Sequence, residues 1–235
     1  MSPGRHQAGV LLAAALALPA APAGGAAELE GVELSVTASS APLVRGSGRA
    51  ATVMHPLPAF TQLVVDGGMD VRIKVDAAPA MTVSGDDNIV PLVRLRVAGR
   101  TATLDTRGSY LATLPVQVTL SLPALARVIH QGAGTVTLAG LQATSLALAS
   151  TGAGDLRAAG RVRRLHLISE GSGDMDLAAL RAREADVTAA GAGDVRLWVS
   201  GALRLTLTGS GDVELAGDAR LERVERDGAG ELWRR

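Results

Sequence analysis

Over most of the chain beyond residue 60, apolar residues return at every second position in short runs separated by glycine turns. That period-2 alternation predicts strands with one buried face. From Gly132 onward the runs also repeat. A Gly-x-Gly motif stands at Gly132, Gly152, Gly171, Gly191, Gly209 and Gly228, with successive gaps of 20, 19, 20, 18 and 19 residues. The flanking residues fall into columns: Val136, Leu156, Met175, Val195, Val213 and Leu232 follow the motif, with Leu138, Ala158, Leu177, Leu197 and Leu215 two places on. A third column, Val128, Leu148, Leu167, Val187, Leu205 and Val224, lies four residues ahead of each motif. Each repeat therefore holds two short strands, one on either side of a glycine turn.

A unit of 18 to 20 residues with two strands cannot bury its apolar face alone. Stacking such units turns each column into a ladder with about 4.8 Å between rungs and gives every strand parallel neighbours. The predicted fold is therefore all-β, a parallel β-solenoid with one chain winding through 18-20-residue coils. The recurring glycines fit a corner that needs positive φ or a crowded backbone in every coil. An outward column of Thr137, Arg157, Asp176, Arg196, Glu214 and Trp233 alternates in charge over four successive coils, which would set stacked neighbours in attraction and oppose a one-coil slip.

Between Arg45 and Leu125 the period is missing but the alternation persists, with turns at Asp66-Gly67-Gly68 and Gly85-Asp86-Asp87-Asn88. This region reads as irregular first coils or a capping sheet. Residues 28–45 read as a flexible leader and residues 1–27 as a secretory signal peptide. Arg5 precedes an apolar run from Ala8 to Leu18, and small residues follow at Ala21 to Ala23 and Gly25 to Ala27. The run is too short to span a bilayer, so the mature chain is not expected to cross a membrane.

Composition narrows the picture further. With 47% hydrophobic but only 2% aromatic residues and 28 glycines, the core must be built of Leu, Val and Ala between tight turns. There is no cysteine, so the exported protein stands without disulfides. Loss of the signal leaves 22 basic against 23 acidic side chains, and a near-neutral chain without a basic tract argues against nucleic acid as a partner.

Three stretches together carry a family resemblance. They are the run Phe60-Thr-Gln-Leu-Val-Val-Asp-Gly-Gly-Met-Asp-Val-Arg-Ile, then Val83-Ser-Gly-Asp-Asp-Asn-Ile, then Leu122-Pro-Ala-Leu before the Gly-x-Gly-Asp coils. In that order and spacing, over residues 46–233, the chain resembles the bacterial "putative auto-transporter adhesin, head GIN domain" family. The resemblance implies a secreted or periplasmic, right-handed, single-stranded parallel β-helix with no established catalytic residues. No stretch follows Arg235 for a C-terminal membrane barrel, so self-translocation is not expected of this sequence.

Four motifs continue with Asp, at Asp155, Asp174, Asp194 and Asp212. Stacked about 5 Å apart, such carboxylates are calcium candidates or a catalytic pair. The favoured reading is that each caps the amides of its own glycine turn, since that accounts for its return in every inner coil. Calcium repeats of the toxin type carry Gly-Gly-x-Gly-x-Asp twice per coil, so the ligand count here is low. His55, His130 and His166 show no metal-ligand spacing; His130 is expected to pack and His166 to be exposed. No cofactor is expected. Phe60 reads as core, and Trp198 and Trp233 are too isolated for a sugar track.

These observations lead to an exported cell-envelope binding or scaffold module, not an enzyme, that contacts an envelope protein or surface polymer. Its last rung, ending in Leu232, Trp233, Arg234 and Arg235, is open to closure by these side chains or to edge-to-edge self-association. The alternative is a polysaccharide-active enzyme on the same β-helix, which a groove of converging Asp, Arg and Lys would favour.

Overall fold

The computed structural model describes residues 43–75 and 78–235. The signal peptide and all but the last residues of the leader lie outside the described residues. In chain order the first strands are β1 (Val44–Arg45), β2 (Ala50–Pro56), β3 (Gln62–Val65), β4 (Asp70–Val75) and β5 (Ala80–Asp86), before a 3-10 turn at Val90–Leu92. Then come β6 (Val93–Ala98), β7 (Thr101–Thr106), β8 (Tyr110–Leu111), β9 (Gln117–Leu122) and β10 (Arg127–His130). The regular coils hold β11 (Val136–Ser150), β12 (Leu156–Ser169), β13 (Met175–Ala189), β14 (Val195–Val199), β15 (Ala202–Leu207), β16 (Val213–Ala216), β17 (Arg220–Arg226) and β18 (Leu232–Arg234).

From β10 onward the chain is the expected parallel β-solenoid, and the columns read from the sequence stack in register. Val136 faces Leu156, Leu156 faces Met175, Met175 faces Val195, Val195 faces Val213 and Val213 faces Leu232. On the second face Val128, Leu148, Leu167, Val187, Leu205 and Val224 form the matching ladder. The members of both ladders up to Leu205 and Val213 are buried. Each large aliphatic side chain removed from water in this way contributes roughly 1.5–3 kcal/mol.

One expectation changes. In the first three coils the two strands are not separate: β11, β12 and β13 each run from one glycine corner to the next as a bent strand of 14 or 15 residues. The ladder slips at the bend, between Leu138 and Leu141 and between Arg157 and Gly160, so the pairing survives the change of direction. Gly140 makes the first of these bends with φ 76°, and Gly217, between β16 and β17, turns the chain at the corresponding place in its coil with φ 90°, a region that L side chains avoid.

Both readings of the N-terminal region hold. β3 and β4 form a coil directly against β10 and β11, although about fifty residues separate the two coils in sequence. β7 and β9, later in the chain, form the rung on their other side. Antiparallel strands then finish this end: β5 and β2 beyond β9 on one face, β6 beyond β7 on the other. A parallel edge left open would present unpaired backbone groups, and the antiparallel pairs cover it.

The Gly85 to Asn88 turn fastens the chain start to this cap. Asp86, with 0% exposure, accepts backbone hydrogen bonds from Gly48 (2.7 Å), Thr113 (2.8 Å) and Leu114 (3.0 Å). Asp87 takes the Ser47 hydroxyl and the Arg49 guanidinium, and the side-chain amide of Asn88 donates to the Arg45 carbonyl. Val44 and Arg45, which composition groups with the leader, pair with Tyr110 and Leu111.

Candidate functional site

The glycine corner is the feature repeated most faithfully, and its geometry follows from crowding. A Cβ on Gly152 would lie 2.1 Å from the Gly132 carbonyl oxygen, and one on Gly171 would lie 1.9 Å from that of Gly152. The second glycine is equally confined, with Gly173 set against the Gly154 carbonyl and Gly193 against that of Gly173, both at 2.1 Å. The motif glycines from Gly132 to Gly230 do not have left-handed φ. Of the two reasons for glycine left open by the sequence, close backbone approach is the operative one.

The Asp ladder corrects the favoured reading of its role. Each carboxylate reaches the next coil, not its own turn. Asp155 Oδ1 accepts from the backbone N–H of Asp174 (3.2 Å), Asp174 from Asp194 (2.9 Å), Asp194 from Asp212 (2.9 Å) and Asp212 from Glu231 (2.8 Å). Asp70 does the same for Thr135 at 3.0 Å. The reason lies in the backbone. The carbonyl of each acidic residue accepts from the preceding coil, as in Leu156 N–H to the Asp174 carbonyl and Met175 N–H to the Asp194 carbonyl. Its own N–H faces the same coil, where an Asp carboxylate oxygen takes the place of a backbone acceptor. Among the described residues no three acidic or histidine side chains gather as a metal site.

The outward charged column is in the predicted register, with Arg157, Asp176, Arg196, Glu214 and Trp233 on successive rungs. Its ion pairs form only in part. Arg196 lies 3.4 Å from Glu214, which Arg235 also approaches at 3.0 Å, whereas Arg157 turns to Asp155 on its own strand. At the last rung Leu232 is half-buried and Trp233 56% exposed. The Arg234 guanidinium bonds back to the Ala219 carbonyl at 2.6 Å.

The histidines separate as expected. His166 is exposed and His130 is fully buried. His130, Ser150 and Ser169 stand in register on successive inward rungs, and neither imidazole nitrogen nor either hydroxyl has a hydrogen-bonding partner among the described residues. Burial pushes the His130 imidazole below its ordinary range. Asp155 and the carbonyls of Gly134 and Gly154 pull the other way, but those carbonyls miss hydrogen-bond geometry.

A surface groove that the sequence did not single out lies on the face of β12, β13, β15 and β17. There Arg164, His166, Glu184, Asp186, Arg204 and Glu222 converge, one or two from each of four successive coils. Arg164 pairs with Glu184 (3.5 Å) and Arg204 with Glu222 (2.7 Å), while His166 and Asp186 face each other across one rung without an ion pair. No spacing in the sequence marks the groove: the deficit of the short fourth coil, residues 191–208, falls elsewhere, at the bend between Leu197 and Trp198, where three residues of β13 have no counterpart.

Comparison with known proteins agrees with this architecture. The model of a family described as "Putative auto-transporter adhesin, head GIN domain" matches residues 59–219. No curated protein matches the chain. Among solved structures, a "putative adhesin" from Bacteroides fragilis NCTC 9343 superposes with a TM-score of 0.69 at 19% identity, covering 82% of this chain and 100% of its own. A "putative adhesin" from Parabacteroides merdae ATCC 43184 gives 0.48 at 16%, covering 82% and 99%. A "putative lipid binding protein" from Parabacteroides distasonis ATCC 8503 gives 0.48 at 17%, covering 81% and 99%.

Proposed function

The chain belongs to the family described as "Putative auto-transporter adhesin, head GIN domain", and from that premise we propose that it is an exported, non-catalytic binding or scaffold module of the cell envelope. The observation that carries the reading is the use of the Asp ladder. Asp155, Asp174, Asp194 and Asp212 each commit a carboxylate oxygen to the next coil, so the most conspicuous acids of the sequence serve the stack itself. The rigid outer faces remain as the contact surface. A pull-down of the mature chain from envelope fractions tests this: specific retention of a protein or polymer supports it, and recovery of nothing beyond a bead control overturns it.

The groove on β12, β13, β15 and β17 favours a second reading, a polysaccharide-active enzyme. It brings Asp186 and His166 beside Arg164 and Arg204, as such a site would require. Incubation with a panel of envelope polysaccharides separates the two. New reducing ends that disappear in Asp186→Asn would establish the enzyme, and binding without product supports the module.

A further inference from the structure

On the bend between the two sheet faces, the second and third coils carry four exposed arginines: Arg161 and Arg163 on β12, Arg181 and Arg183 on β13. Arg161 and Arg181 are register partners, and so are the neighbouring Val162 and Ala182, which puts Arg163 and Arg183 in adjacent tiers two residues further on. None of the four has an acidic side chain within ion-pairing distance among the described residues, although Arg164 next to them pairs with Glu184. Like charges directly opposite one another in a sheet are destabilising, so self-assembly of the coil stack does not account for this arrangement.

The surroundings show what such a square can receive. Arg181 lies over the half-buried Trp198, its guanidinium carbon 4.5 Å from the ring centroid. A shallow recess of about 330 Å³ beside it is lined by Gly140, Gln142, Gly160, Arg161, Ala179 and Arg181. The neighbouring rungs add Thr144, Ser200 and Gly201. Guanidinium forks match carboxylate and phosphate oxygens in pairs, and the Gln142 amide can both donate to and accept from a hydroxyl. The patch has no exposed large apolar side chain to enter a bilayer, which separates it from an interfacial membrane anchor.

We propose that Arg161, Arg163, Arg181 and Arg183 form a binding site for an anionic glycan, a saccharide chain bearing carboxylate or phosphate groups. The site names a ligand class for the binding role proposed above and rests on that reading.

The test uses the mature chain with polygalacturonate, uncharged dextran and vesicles of phosphatidylglycerol in phosphatidylcholine. The expected result is binding to polygalacturonate and not to dextran, weakening as salt rises from about 0.05 to 0.2 M. The triple variant Arg161→Gln, Arg163→Gln, Arg183→Gln should bind at least about tenfold more weakly. A control triple at the exposed, separated Arg107, Arg127 and Arg226 should bind as the parent does. The site triple loses no ion pair, so its thermal midpoint should match or exceed that of the parent. Equal weakening by both triples, no binding to polygalacturonate, or binding to the vesicles alone would each overturn the site. If the site triple is still retained by envelope fractions as the parent is, the arginine site fails while the binding role stands; if the parent is not retained, the role itself fails.

Discussion

Asp174 Oδ1 accepts the backbone N–H of Asp194 at 2.9 Å, so the side chain of one coil completes the backbone ladder of the next. The acid therefore does for the corner what a carbonyl does for a strand. The relationship runs unbroken from Asp155 to Glu231 and is interrupted at Thr135, which receives the bond from Asp70 but has no carboxylate to pass on. The corner beside that interruption is the one under which His130 is buried, with Gly154 against its ring.

If the carboxylate serves the next coil, the effect of removing it should appear one coil away. Asp194→Ala should cost about 1–2 kcal/mol in urea unfolding, because the Asp212 N–H loses its acceptor, and Asp194→Asn clearly less, because Oδ1 is kept. Hydrogen exchange locates the effect. The Asp212 amide should exchange faster in the Ala variant, and faster exchange confined to the amides of residues 191–193 would restore the own-turn cap. Calcium added to chelator-treated protein should leave the melting temperature unchanged.

Periodicity was sufficient for the coils because each column has one environment from end to end, as Val136 through Val213 shows. It could say less about Asp155 and its successors, since a capping carboxylate satisfies an amide of its own turn or of its neighbour's equally well on a one-dimensional pattern. The strand order within the cap was illegible for a different reason. Leu63 stacks on Val128 and Ala102, so the order of rungs in space departs from the order in sequence, and no local pattern encodes that. The groove at Asp186 and His166 gathers residues from four coils, a gathering without meaning until the coils are stacked.

Crowding at the corner makes a sharp contrast between glycines. Gly191→Ala places a Cβ 2.1 Å from the Gly171 carbonyl oxygen, between two backbones that cannot yield separately. A loss of about 3 kcal/mol or more, or failure to fold, is expected. Gly68→Ala meets nothing within 4 Å, and its thermal midpoint should stay close to the parent's. Equal effects of the two substitutions would refute close approach as the reason for the motif.

Asp86 should govern acid stability of the cap. Burial works to raise its pKa, but the amides of Leu114, Gly48 and Thr113 outweigh burial and hold the carboxyl below the usual carboxylate range. With the folded value depressed, its contribution is fully present above the unfolded value of about 3.9 and is lost as pH falls through the lower folded value. Asp86→Asn should therefore be destabilised at pH 7, where the amide cannot accept all three bonds, and the gap to the parent should narrow below about pH 4. A gap that stays constant down to pH 2 would show that the charge of Asp86 is not what holds residues 46–48 in place.

His130 predicts a second pH dependence, in a separate window and by the opposite chemistry. Its folded pKa is lowered, chiefly by burial, so between that value and the unfolded value of about 6.5 the unfolded chain binds more protons than the folded one. Stability must then rise with pH across the window, which means that acidification from about pH 7 toward 5 weakens the parent. His130→Leu removes the titrating group from an inward column that already holds Leu104 and Val65, and with it two ring nitrogens that lack partners. The variant should be at least as stable as the parent at pH 7.5, and the difference should grow in its favour at pH 5. Urea midpoints for the two proteins at half-unit intervals of pH measure the slope directly. Parallel slopes would mean that folding leaves the proton affinity of His130 unchanged, and a parent strengthened by acid would mean that the imidazole is protonated against Asp155 in the folded coil.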